Sequence, residues 1–98
     1  MLKHFVMIKY KPDTPQSHIE RFMREAEAML GEIKELLDIE VGRDVVEEPR
    51  SWHVLLSTLF EDEAALKRYQ AHEVHQALMV FNGPQVESVA VIDYPAPG

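Results

Sequence analysis

The first strand predicted by the sequence is apolar on both of its faces. The positions that share one face are Leu2, His4, Val6, Ile8 and Tyr10. The opposite face has lysines near its two ends but Phe5 and Met7 at its centre. A strand with two apolar faces is typical of a sheet that is covered on both sides. Residues 11–15, which include two prolines, predict a turn after this strand.

A helix is predicted next, because apolar residues recur at intervals of three and four positions. They are Ile19, Phe22, Met23, Ala26, Met29, Leu30 and Ile33. Thr14 is a candidate N-cap, with Pro15 in the first turn. Ser17 and Glu20 offer a capping box as the alternative start. Gly31 weakens the helix near its end, so we expect a further turn or an irregular connection over residues 32–37.

The second half of the chain predicts three strands and two short helices. The predicted strands cover residues 38–46, 52–60 and 86–94. Gly42 interrupts the alternation of the first of these strands and is a candidate for a β-bulge. The acidic residues 61–63 favour the start of one helix, since negative charge stabilises a helix N-terminus. The apolar pattern over residues 71–82 predicts the other helix.

The resulting order, β-α-β-β-α-β, predicts a single ferredoxin-like α+β domain over residues 1–98. In that arrangement the first strand lies between the third and the fourth, and all neighbouring strands are antiparallel. Both helices cover one face of the sheet. Phe5 and Met7 then lie on the other face, where they are too apolar to be left in water. We therefore expect a second copy of the chain to pack there and form a homodimer.

Composition and charge argue against some classes of binding partner for this domain. The chain is 46% hydrophobic and 28% charged, as in globular proteins, and its net charge is −7. An acidic balance argues against nucleic acid and against an anionic membrane surface as partners. The sequence has neither a signal peptide pattern nor the roughly 20 apolar residues of a membrane helix, so we predict a cytoplasmic location. Because it has no cysteine, disulfides, thiolate nucleophiles and cysteine-bound metals are excluded.

The histidines are the main candidates for chemistry. Those in or beside apolar segments are His4, His53, His72 and His75, whereas His18 has polar neighbours and is expected at the surface. Antiparallel pairing of the first and last strands places His4 beside Asp93. A carboxylate in that position fixes the tautomer of the ring and raises its basicity, as a supported base requires. A purely structural cross-strand hydrogen bond explains the same pattern equally well.

Tyr69, His72 and His75 form the second candidate cluster. Tyr69 and His72 share a helical face, and a helix break near Ala71 or His72 would turn the ring of His75 towards the same cavity. A phenol and an imidazole at one cavity can act as an acid/base pair for removing a proton next to a carbonyl group. The alternative is a core tyrosine and a histidine that caps the end of a helix. His72 and His75 are one residue too close for a zinc-protease helix motif, and we expect neither a metal nor a cofactor.

Several segments taken together resemble the stress-responsive A/B barrel (Dabb) family. They are residues 3–12, residues 40–44, the motif Tyr69-x-x-His72-x-x-His75 and residues 86–94. The resemblance covers essentially the whole chain and implies a dimeric α+β barrel, in which two four-stranded sheets pack face to face. Glu73 departs from the family pattern, in which proline usually follows the first histidine of the motif.

Within that family, the chain resembles members of the olivetolic acid cyclase type, which close a linear polyketide by an aldol condensation without a cofactor. The resemblance implies catalytic roles for Tyr69 and His75, with His4 in support. The implied substrate-binding positions are His53, His72 and Asp93. The first hypothesis is thus a cofactor-independent cyclase, lyase or isomerase for a small carbonyl-bearing or polyketide-like compound. The second is a non-catalytic dimeric domain that is stress-related or binds a small ligand.

Overall fold

In the computed structural model, which describes residues 1–97, the chain forms a four-stranded antiparallel sheet with its helices on one face. The strands are β1 (Leu2–Tyr10), β2 (Asp38–Arg43), β3 (Val54–Phe60) and β4 (Val86–Pro95). The helices are α1 (Gln16–Ala28), α2 (Glu63–Ala71) and α3 (Glu73–Asn82), and short 3-10 turns cover Met29–Gly31 and Gly83–Gln85. The strand order is β2-β3-β1-β4. The predicted ferredoxin-like fold, with β1 between the third and fourth strands, is confirmed.

The central strand β1 determines which residues face the helices. Val6 pairs with Leu56 of β3 on one side and with Val91 of β4 on the other. Side chains in phase with Val6 form the inner face, which packs against the helices. The outer face has no helix on it within residues 1–97, and Met7 there remains 37% exposed and Ile92 60% exposed.

The hydrophobic core fills the space between the inner face and the helices. α1 buries Ile19, Phe22 and Ala26, which its helical spacing places on one side. Phe22 and Phe60 of β3 belong to the same core, and both side chains are completely buried. Truncating a buried phenylalanine costs about 3–5 kcal/mol, which is a large share of a stability of about 5–15 kcal/mol. The core is therefore small but decisive for folding.

The start of α1 differs from both predictions. The helix begins at Gln16, with Pro15 in the N-cap position and no side-chain capping hydrogen bond. The Thr14 hydroxyl instead donates to the carbonyl of Lys11 at 2.8 Å. The turn before the helix thus uses the hydroxyl group that was predicted to cap it, and the capping box at Ser17 does not form either.

Three details of the strands differ from the predictions, the first being that β2 ends at Arg43, three residues earlier than predicted. The pairing of β2 with β3 runs past Gly42 without a bulge, and the irregularity lies instead between Lys9 and Tyr10, where β1 pairs with β4. β3 begins at Val54, two residues later than predicted, because His53 is in an irregular segment. None of the helices in the described part of the chain has the length and apolarity to cross a membrane.

Candidate functional site

A break between two short helices brings Tyr69 and His75 together. His72 has an extended backbone (φ −65°, ψ 139°), so α2 ends there and α3 starts in a new direction. Tyr69 lies in the last turn of α2 and His75 in the first turn of α3, and their ring centroids are 4.6 Å apart. The predicted helix break at this position is confirmed.

The side chain of His72 is occupied by the backbone at this break. Its Nδ1 accepts a hydrogen bond from the amide of Val74 at 3.1 Å, which caps the N-terminus of α3. His72 is also the C-cap of α2, which confirms the alternative prediction of a histidine that caps the end of a helix. The ring lies outside the cavity lined by Tyr69 and His75, so this geometry gives no support to a substrate-binding role for His72.

Tyr69 and His75 line a partly open cavity of about 320 Å³ between the helices and the inner face of the sheet. Its apolar lining residues are Val6, Ile8, Phe22, Leu56, Met79, Val86 and Val89. The polar side chains on its wall are His4, Tyr69, His75 and Asn82. Ligand cavities commonly measure about 300–1,000 Å³ and combine an apolar wall with few polar groups. The size and lining of this cavity suit a small, largely apolar compound.

The environment of His75 favours its neutral form. Burial lowers the pKa of this imidazole, the nearby backbone of Gln70 acts in the opposite direction, and the charge of His4 lowers it further. Nδ1 is buried and has no hydrogen-bond partner of ordinary geometry within residues 1–97. The ring is therefore unprotonated at neutral pH, which is the state that a general base requires.

Tyr69 is a buried phenol held against the core. The residue is 3% exposed, and its ring packs against Phe60 with a centroid distance of 4.8 Å. Burial raises the pKa of Tyr69 to about 12 and is the only cause of this shift, since no hydrogen-bonded or charged neighbour contributes. Its hydroxyl stays protonated at neutral pH and is available as a donor.

His4 and Asp93 are paired across the sheet. The two residues lie directly opposite each other in β1 and β4, and His4 Nδ1 is 2.5 Å from Asp93 Oδ1. Nδ1–H donates to the carboxylate, which leaves Nε2 as the other nitrogen of the ring. His4 lines the cavity, whereas Asp93 lines a separate cleft beside Lys67. The predicted contact between His4 and Asp93 is observed.

His53 and His18 occupy other places than expected. His53 Nδ1 accepts from the backbone amide of Tyr10 at 2.8 Å, and its ring is outside the cavity of Tyr69 and His75. A substrate-binding role for His53 at this cavity thus has no geometric support. The prediction that His18 is simply a surface residue is wrong. Its ring is half-buried, stacks on Phe81 at 4.3 Å and places Nε2 3.0 Å from Asn82 Oδ1.

Asn82 is the cavity residue that sequence reasoning missed. It is 3% exposed and is the last residue of α3. A signal was present, because Asn82 follows His75 by seven positions and so lies on the same face of a helix. The sequence pattern places Asn82 at the end of a helix and predicts no other role for it.

Two further features bear on what this site can hold. A larger cavity, of about 490 Å³, lies beside the β2–β3 connection and is lined by Arg43 and Trp52, but neither Tyr69 nor His75 reaches it. Within residues 1–97, no three His, Asp or Glu side chains are grouped as ligands for a metal ion. The larger cavity is also lined by Asp44 and His53, so titratable groups border both cavities, but the contact between Tyr69 and His75 lies at the smaller one.

Comparison with known proteins agrees with this architecture. A family model described as "Stress responsive A/B Barrel Domain" matches residues 2–96. A Dabb-family protein of Mesorhizobium loti with a ferredoxin-like fold is 29% identical, with a TM-score of 0.79, covering 99% of this chain and 97% of that one. A dimeric protein of Bacteroides fragilis with a ferredoxin-like fold is 28% identical, with a TM-score of 0.79, covering 95% and 93%.

A hydroxynitrile lyase of Passiflora edulis has the same fold with a TM-score of 0.82, although it is only 18% identical. The superposition covers 95% of this chain and 90% of that one. At this identity the likeness shows the fold alone. A search of the curated proteins found no match.

Proposed function

Because the chain belongs to the stress-responsive A/B barrel domain family and has a Tyr–His pair at an apolar cavity, we propose that it is a cofactor-independent enzyme that moves a proton at a carbon next to a carbonyl group. The reaction class is an aldol-type cyclisation or the reverse, lyase reaction. The observation that carries the proposal is the contact of the Tyr69 and His75 rings, 4.6 Å apart, at a cavity of about 320 Å³.

His75 is the general base in this proposal. Its neutral ring accepts a proton from the carbon next to the carbonyl, and the electron pair of the broken C–H bond moves towards the carbonyl oxygen. The Tyr69 hydroxyl donates a hydrogen bond to that oxygen as negative charge develops on it. A phenol whose pKa is about 12 keeps its proton throughout, so Tyr69 acts as a donor rather than as an acid.

His4 has a positioning role in the same proposal. Asp93 fixes the ring orientation from outside the cavity, at an Nδ1–Oδ1 distance of 2.5 Å. The charge of His4 also lowers the pKa of His75, which helps to keep the base neutral. A substitution of Asp93 is therefore expected to act through His4 and not by direct contact with the substrate.

The surroundings suit a small carbonyl compound. An apolar wall strengthens the hydrogen bond from Tyr69, because it lowers the local dielectric constant. The motif that joins Tyr69 to His75 also resembles that of the olivetolic acid cyclase type, which supports a polyketide-like compound as one substrate of this class. The cavity volume sets the upper limit on its size.

The proposal is tested by exchange of carbon-bound protons. The methyl protons of 1,4-diacetylbenzene are followed by NMR in D₂O, with the wild-type protein and with the variants His75→Gln and Tyr69→Phe. We expect His75→Gln to slow the catalysed exchange by about 10²–10⁴, the usual contribution of general acid–base catalysis. The matched control is His72→Asn, which changes a histidine of the same motif outside the cavity and retains a side chain that can cap α3.

The outcomes separate the two functions considered from the sequence. Exchange by His75→Gln at the wild-type rate would refute the role of His75. Saturable binding of the diketone without any exchange by the wild-type protein would favour a small-ligand-binding domain, which the largely apolar wall of the cavity also suits.

We also propose that the protein is a homodimer that buries the outer face of the sheet. The apolar side chains at the centre of that face line a shallow groove and include Phe5, Met7 and Ile92. A single chain leaves Met7 37% and Ile92 60% exposed. The Bacteroides relative, at 28% identity, is described as dimeric. Packing of two such faces is the arrangement that removes these side chains from water.

Sedimentation analysis tests the dimer. We expect a dimer at micromolar concentration and its dissociation by Met7→Glu, which buries a charge in the interface. Val80→Glu is the matched control, because Val80 is 76% exposed on α3, away from the outer face. A stable wild-type monomer at micromolar concentration would refute the proposal.

A further inference from the structure

Asn82 lines the same cavity as the acid/base pair and lies two helical turns beyond His75 in α3. His75, Met79 and Asn82 follow each other at i, i+4 and i+7 along α3, so they share one helix face, and all three line the cavity. The positions of His75 and Asn82 are separated by roughly 10 Å along the helix axis. A ligand that reaches His75 can therefore also reach Asn82 only if it extends along the cavity.

The oxygen of the Asn82 side chain is already used by two protein donors. The Tyr10 hydroxyl donates to Oδ1 at 2.7 Å, and His18 Nε2 lies 3.0 Å from the same atom. Two donors occupy both lone pairs of an amide oxygen. What Asn82 presents to the cavity is consequently its amide nitrogen, which has two N–H donors.

The two donors are themselves held in place. The Tyr10 ring contacts Phe22 edge-on at 6.5 Å, and the His18 ring is stacked on Phe81 at 4.3 Å. Rotation of the amide by 180° would place Nδ2 in this position, and Tyr10 and His18 would both have to accept instead of donate. Asn82 is thus a donor of fixed direction, and it is 97% buried, since only 3% of its surface is exposed.

We propose that Asn82 recognises a second oxygen of the substrate through a hydrogen bond donated by Nδ2. The preferred substrate class is then a compound with two acceptor oxygens joined by an apolar spacer. One oxygen belongs to the reacting carbonyl beside Tyr69, and the other is bound by Asn82. This inference rests on the proposed function and specifies its substrate. Asn82 lies outside the sequence motif Tyr69-x-x-His72-x-x-His75, so this role does not follow from the motif.

The test compares two probes of almost equal shape. 1,4-Diacetylbenzene has carbonyl oxygens at both ends of its ring, and in 4-isopropylacetophenone one of these oxygens is replaced by a methyl group. Their dissociation constants are measured by NMR titration of the complete protein. We expect the wild-type protein to prefer the diketone, and Asn82→Leu to reduce that preference roughly two- to tenfold, the value of one neutral hydrogen bond.

A second substitution keeps the test decisive if Asn82→Leu does not fold. Asn82→Asp preserves the shape and the acceptor for Tyr10 and His18 but replaces the amide donor by an acceptor oxygen. It should abolish the preference for the diketone. Met79→Leu is the matched control, because it alters the apolar wall and should change the affinity for both probes by the same factor.

The results have distinct meanings. An unchanged ratio of dissociation constants in both Asn82 variants, or a failure of the wild-type protein to prefer the diketone, overturns the inference. A ratio that depends on Asn82 supports it even if the wild-type protein exchanges no protons, in which case the proposed function fails alone. Exchange that requires His75, together with a ratio independent of Asn82, leaves the proposed function standing without this specificity.

Discussion

Two buried tyrosines provide a direct test of how the cavity is built. Tyr10 is 2% exposed and Tyr69 is 3% exposed, and burial raises the pKa of each to about 12. They differ in their hydroxyl groups. The Tyr10 hydroxyl donates to Asn82 at 2.7 Å, whereas burial is the only influence on that of Tyr69. Replacing each by phenylalanine removes one oxygen atom from an equally buried ring.

The expected changes in stability follow from this difference. Tyr10→Phe loses a neutral hydrogen bond, worth about 0.5–1.5 kcal/mol, and leaves the Asn82 oxygen with one donor, so a loss of about 1–2 kcal/mol is expected. Tyr69→Phe loses no protein hydrogen bond, because the residue borders the cavity and burial is the only influence on its hydroxyl group. Its free energy of unfolding should change by less than about 0.5 kcal/mol or increase by up to about 1 kcal/mol.

Urea unfolding at neutral pH and one fixed protein concentration measures both variants against the wild-type protein. In a domain of this size, 1 kcal/mol corresponds to a shift in Tm of about 4–8 °C. Tyr69→Phe should also lose catalysed proton exchange while keeping its stability. A loss of stability for Tyr69→Phe as large as that for Tyr10→Phe would show that the Tyr69 hydroxyl has a structural partner, and the reasoning above would be wrong.

Three further predictions concern pH and helix capping. The protein should lose stability between about pH 10 and 12, because unfolded tyrosines ionise near pH 10 while Tyr10 and Tyr69 resist ionisation up to about 12; urea unfolding across this range should show a smaller loss for Tyr69→Phe. Stability should also fall as the pH drops below about 6.5. The pKa of His75 is lowered in the folded state, so the unfolded state takes up this proton at a higher pH. His75→Gln should lack this contribution to the pH dependence of the free energy of unfolding. Asp62→Ala should lower the free energy of unfolding by about 0.5–2 kcal/mol, because Asp62 Oδ1 accepts from the amide of Ala65 at 2.8 Å and caps α2; Asp62→Asn, which retains the cap, is the control.

The sequence predicts a structural feature correctly when the feature depends on a local pattern, or when the known topology of a fold relates two distant segments. The element order β-α-β-β-α-β predicts that β1 lies between β3 and β4 in the sheet. Once β1 and β4 are neighbours, antiparallel pairing puts the start of one beside the end of the other. The contact of His4 with Asp93 follows from these two steps, although 89 positions separate the residues.

The remaining features depend on contacts that no local pattern encodes. The Thr14 hydroxyl donates to the Lys11 carbonyl of the preceding turn, and it does not accept from an amide in the first turn of α1. His18 looked like a surface residue from its polar neighbours, but α1 packs beside α3 and brings its ring onto Phe81. The role of Asn82 depends on the same packing. His18 and the Tyr10 hydroxyl both bind its Oδ1, which leaves its amide nitrogen for the cavity.

The strand order also determines when the site can form during folding. Of the four strands in the sheet, β1 comes first along the chain, but one of its two neighbours, β4, comes last. The link from His4 to Asp93 closes a loop across almost the whole chain, and long-range closures of this kind are slow and entropically costly. Until β4 arrives, the cavity lacks the wall formed by Val86 and Val89, and His4 lacks its carboxylate. A nascent chain that ends before β4 therefore has Tyr69 and His75 without this wall, so any activity of the cavity requires a chain that extends through β4.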